Sequence, residues 1–207
     1  MSPPVSVTLL TDTFFQGAWL MAIWNAILGL WIRIGLHLFP PVIHPMLVHF
    51  PIVLLYGSLF TSVLGLFFPR GDRFFSRASF WLLALGLIAG IVAAAAGVIS
   101  EQYVKWTPVT STLLSTHQAY AVLTGLFVIL ALISRLLARF SRGSYGRAWS
   151  FANTGRGRET IFSWVFVVAS VVMVTMTASI GGTMVYQYGV GVHGLLFHTP
   201  ALLHSKP

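Results

Sequence analysis

Two histidines and two prolines stand within eight residues at the mouth of a long apolar run, His44-Pro45-Met46-Leu47-Val48-His49-Phe50-Pro51, and a third histidine, His117, opens another such run. Imidazole is costly in hydrocarbon and is the side chain best suited to bind a haem iron or a transition metal, so histidines at the entrances of membrane helices raise a functional hypothesis. The plain alternative is a helix start at the membrane interface, with His44 as the polar residue and Pro45 at the first helical position. Two neutral imidazoles from two membrane helices, with no cysteine in the chain, are the donor set of a b-type haem held on both faces. Arg33, Lys105 or Tyr186 would then meet the propionates. Zinc or copper on all three histidines, perhaps joined by Glu101, is less natural, because the donors must converge within about 2.0–2.1 Å of one ion.

The elements that position these residues follow from composition. Of 207 residues 57% are hydrophobic and 8% charged, which indicates a polytopic membrane protein. The net charge of +8 would suggest nucleic acid in a soluble chain, but here the placement of the arginines matters more than their sum. Residues 1–13 are short and polar and lack the basic region of a signal peptide. Phe14 to Ile32 is uncharged and carries Trp19, Trp24 and Trp31; it is read as an apolar helix that lies in the interface rather than spanning. Four spans follow, from about His44 to Pro69, Phe80 to Ser100, His117 to Ser134 and Ile161 to Tyr186. Such segments must be helical to satisfy their own backbone. The expected architecture is an all-α four-helix transmembrane bundle over 44–192, preceded by an N-terminal segment 1–43 and followed by a tail 193–207.

Arg70, Arg73 and Arg77 follow the first span, and Arg135, Arg139, Arg142, Arg147, Arg156 and Arg158 follow the third. By the positive-inside rule that side is cytoplasmic, which places His44, His49, Glu101, His117, Tyr186 and Tyr188 in the outer half of the membrane and the tail outside. Counted from the arginines, His117 precedes Arg135 by 18 residues, His49 precedes Arg70 by 21 and His44 precedes it by 26. His49 is therefore the expected partner of His117, and His44, roughly 7.5 Å further out at helical rise, is expected to support the ligand. Each hairpin also opens with a histidine and closes with a similar tripeptide, Glu101-Gln102-Tyr103 or Tyr186-Gln187-Tyr188, a pattern suited to a pseudo-symmetric site between them. Gly181 and Gly182 remove side chains at histidine level, for a flat macrocycle or a closely packed helix, and Gly189 and Gly191 let the chain leave the helix. His193, His198 and His204 in the tail are read as surface or partner contacts.

His44-Pro-Met-Leu-Val-His49-Phe-Pro51, the lone His117 and Gly181-Gly182-Thr-Met-Val-Tyr186-Gln-Tyr188-Gly189-Val-Gly191-Val192 together resemble the bacterial membrane proteins catalogued as domain of unknown function 2231. The resemblance covers about residues 44–192. It implies a four-helix domain in the cytoplasmic membrane, often accompanied by respiratory or cytochrome partners, with the family's histidines at His44, His49 and His117 and its glycine-tyrosine signature at Gly181, Gly182 and Tyr186.

There is no Walker loop, dinucleotide fingerprint, paired carboxylate or nucleophile elbow, so no enzyme activity is assigned to the chain alone. A transporter ranks third, since the spans lack charged or broken features apart from Pro51. Two readings remain. One is an electron-transfer subunit carrying haem b near the outer face, exchanging electrons with a partner such as a cytochrome c. The other is a cofactor-free anchor or assembly subunit that docks other membrane subunits.

Overall fold

The computed structural model describes residues 5–40, 42–68, 74–140 and 161–192. The expected spans are present as helices: α1 (Val5–Leu38), α2 (Ile43–Leu47), α3 (His49–Phe67), α4 (Phe74–Ser100), α5 (Pro108–Phe140) and α6 (Ile161–Tyr186). A single 3-10 turn, Glu101–Tyr103, closes α4. Among the described residues five segments are long and apolar enough to cross a membrane, one of them Ala18–Leu38 within α1. The chain divides into two units, Met1–Pro41 and Val42–Pro207, and the second contains the bundle. This is an all-α multi-pass membrane protein.

The first span is broken where its prolines require it. Pro51 has no N–H to give the Leu47 carbonyl, and its ring crowds that carbonyl. α2 accordingly ends at Leu47, and α3 begins afresh at His49. Only the Val48 N–H bond to the His44 carbonyl (3.1 Å) and a long Ile52-to-Val48 bond (3.4 Å) bridge the joint. The third span begins nine residues earlier than its apolar run suggests. Thr107 and Thr110 exchange side-chain and backbone bonds (2.9 and 3.2 Å), a reciprocal cap, with Pro108 at the first helical position.

α3 pairs with α4 and α5 with α6; the two hairpins meet through α3 against α6 and α4 against α5. Leu55, Leu83, Val128, Ala131, Val167, Val171 and Val174 form the core. Gly86 lets α3 approach closely: a Cβ there would lie 2.9 Å from Leu55 Cδ2. Hydroxyls serve the same interface, with Ser58 Oγ donating to the Ser79 carbonyl and Ser79 Oγ to the Ser58 carbonyl, both at 2.9 Å. Large apolar side chains such as Phe50, Phe60, Trp81 and Val122 point outward, as expected for a bundle whose solvent is lipid.

Arg135 departs from expectation. The arginines after the third span were expected to mark a loop, yet α5 continues to Phe140 and carries Arg135 inside the bundle, 3% exposed. Its Nε donates to Ser163 Oγ (2.6 Å), Nη1 to Ser79 Oγ (3.0 Å) and Nη2 to Ser62 Oγ (3.1 Å). Apolar runs end where a charge appears, but a helix continues when neighbouring helices supply acceptors for that charge.

Candidate functional site at the histidine pair

At the other end of the bundle, α2 and α5 each present a histidine to the interior. The Nδ1–H of His44 donates to the Ala93 carbonyl of α4 (2.7 Å), and that of His117 donates to the Thr177 carbonyl of α6 (2.9 Å). Each ring lies on a glycine one turn further along the accepting helix. A Cβ at Gly97 would stand 3.1 Å from His44 Nδ1, and one at Gly181 would stand 3.3 Å from His117 Cε1. The two rings then face one another, with centroids 6.2 Å apart and planes inclined at 77°. Both Nδ1 atoms are engaged, which fixes the tautomer and leaves Nε2 as the lone-pair donor of each ring.

The pair brought together is therefore His44 with His117, not His49 with His117. Counting depth along the helix favoured His49, but α2 packs on α4 and carries His44 to the Ala93 carbonyl. His49 opens α3 as an exposed residue. Of the two glycines of the fourth span, Gly181 carries His117, whereas a Cβ at Gly182 would meet nothing within 4 Å. Gly189 (φ 64°) and Gly191 (φ 76°) take the left-handed conformation beyond the end of α6. Tyr186 is 84% exposed and stands outside the ring of contacts. His193, His198 and His204 lie outside the described residues.

Ala93 and Gly97 belong to the small-residue run of the second span, which the sequence marks as suited to a close neighbour, whereas Thr177 carries no such mark, because a backbone acceptor leaves none on residue type. A three-histidine ion site is not assembled, for no group of three His, Cys, Asp or Glu side chains converges among the described residues. Glu101 is held elsewhere: its Oε1 accepts from Gln118 Nε2 (2.9 Å), tying the turn after α4 to α5.

The family model of the predicted membrane proteins, domain of unknown function 2231, matches residues 40–194. The chain belongs to this family. No curated protein and no solved structure matches it. The domain of unknown function 2231 thus coincides with the broken first span and the two hairpins, and it contains both members of the histidine pair.

With Nδ1 of each ring engaged, the two Nε2 lone pairs are a donor set that could hold a metal, and the 6.2 Å between ring centroids brings them into one neighbourhood. A quinone bridging the rings does not fit, since its two oxygens and two hydrogen bonds of about 2.7–3.2 Å would need a wider gap.

Proposed function

We propose that the domain is a membrane-embedded electron-transfer module in which His44 and His117 would hold a b-type haem. The observation that carries this reading is the pair itself: two imidazoles from two hairpins, each anchored through Nδ1 to a backbone carbonyl and seated on a glycine, with ring centroids 6.2 Å apart. When bound, haem supplies a one-electron couple. The chain's own part is to anchor each ring through Nδ1, which leaves Nε2 as the lone-pair donor and raises its basicity through the carbonyl bond. With nine arginines at or beyond the opposite end, the positive-inside rule puts the pair toward the outer face of a bacterial cytoplasmic membrane, where a soluble partner such as a cytochrome c would meet it.

The test is optical. Full-length protein purified with its membrane partners should show a sharp reduced-minus-oxidised α-band. His44→Ala and His117→Ala should each lose the haem or convert it to a high-spin form, while His49→Ala keeps the wild-type spectrum. A colourless, iron-free wild-type preparation overturns the reading.

One observation favours a second function. Each histidine already ties two helices together, His44 to α4 and His117 to α6, which by itself accounts for an inward-facing imidazole. In that case the domain is a cofactor-free anchor or assembly subunit, and both alanine variants should lower the melting temperature without any spectral consequence.

A further inference from the structure

The two ends of the bundle share a numerical relation that neither shows alone. His117 follows His44 by 73 positions, and Arg135 follows Ser62 by the same 73. In the accepting helices Thr177 follows Ala93 by 84 (177 − 93), Gly181 follows Gly97 by 84, and Ser163 follows Ser79 by 84. The relation extends through the core. The buried face of α3, formed by Pro51, Leu55, Ser58 and Ser62, falls under a shift of 73 on Thr124, Val128, Ala131 and Arg135, which are the buried residues of the same stretch of α5. Under a shift of 84, Leu83 falls on Val167 and Gly86 on Ser170, all four buried.

Contacts repeat as well as positions. Ser62 Oγ meets Ser79 Oγ at 2.6 Å in the first hairpin, and Arg135 Nε meets Ser163 Oγ at 2.6 Å in the second. Between hairpins, α3 against α6 is mirrored by α5 against α4. Because each unit crosses twice, both copies enter from the same side, so the operation relating them is a rotation about the membrane normal.

We propose that the bundle is two copies of one histidine hairpin facing each other across a pseudo-two-fold axis, and that Arg135 is a single guanidinium clamp on that axis occupying the position that Ser62 holds in the other copy. The fork of Arg135 reaches both equivalent serines, Ser79 and Ser163, together with its own counterpart Ser62. One cation satisfies the site. A second arginine at position 62 would place two like charges side by side in a buried cluster. The clamp is thus asymmetric by necessity although its surroundings are symmetric, and the arginine and the serine are interchangeable.

Exchange of the two residues tests this in the full-length protein, with unfolding in detergent followed by tryptophan fluorescence. Arg135→Ser should melt lower by roughly 6–15 °C, since the three charge-assisted hydrogen bonds to Ser62, Ser79 and Ser163 are lost. The double variant Ser62→Arg/Arg135→Ser should recover at least half of that loss, whereas Ser62→Arg alone should melt below wild type. If Arg135→Ser cannot be recovered folded, recovery of the exchanged protein as a monodisperse species carries the same support. An exchanged protein that melts no higher than Arg135→Ser, or does not fold, overturns the proposal. The readout needs no bound group, so colourless protein would refute the haem reading and leave this result intact.

Discussion

Gly97 and Gly181 set the position of the imidazoles more tightly than the histidine backbones do, because each ring lies against the space where a Cβ would be. Gly97→Ala brings a methyl to 3.1 Å from His44 Nδ1, and the ring must move away from Ala93. Gly97→Ala and Gly181→Ala should each cost about 1–3 kcal/mol through overpacking, measured by thermal unfolding. Gly182→Ala should be neutral to slightly stabilising, since open space receives its methyl and alanine is the better helix former by about 1 kcal/mol. His44, His117 and Gly181 were legible in the sequence as chemistry out of place in hydrocarbon. Which histidine meets His117 was not, because that depends on α2 packing against α4, which spacing along one helix does not show. Arg135 was read as a loop marker for a related reason: its acceptors Ser62, Ser79 and Ser163 come from three other helices, and no local pattern announces them.

At the scale of elements, Pro51 governs the histidine it does not touch in sequence. Replacing it by alanine supplies an N–H for the Leu47 carbonyl and removes the ring that crowds it, so the helix can tighten across Val48 and shift α2 on α4. Pro51→Ala should therefore expose His44, seen as faster modification of its ring by an imidazole-directed acylating reagent, while the bundle stays folded. Unchanged protection of His44 would show that packing against α4, rather than the proline, holds α2. Apolar length found the four spans and matched α6 at both ends, Ile161 and Tyr186. It missed the polar first turns of α5, from Pro108, because Ser111, Thr112, Ser115 and Thr116 lower the apolarity of that stretch. Those hydroxyls return to carbonyls three or four residues back, among them Pro108 and Ser111, and so cost the helix little.

For the whole molecule, the arginine distribution predicts which end of the bundle faces the cytoplasm. The chain has no cysteine, so single cysteines at Ser111, which is exposed near the start of α5, and at Ser144 can be labelled without background. The expected outcome is labelling of Ser144→Cys from the cytoplasm and of Ser111→Cys from outside; labelling of both from one face would invert or abolish the assigned orientation. The buried guanidinium also has a consequence for biosynthesis. Helices enter the bilayer in chain order, and an arginine near the middle of an inserting segment costs about 2.5–3.5 kcal/mol, less toward its end. When α5 arrives, α3 and α4 are already in place with Ser62 and Ser79 as ready acceptors, and Ser163 completes the set when α6 follows. His117 likewise acquires its Thr177 carbonyl only with that last helix. The nascent protein thus lacks the last anchor of its histidine pair and of its arginine cluster until the final span is released.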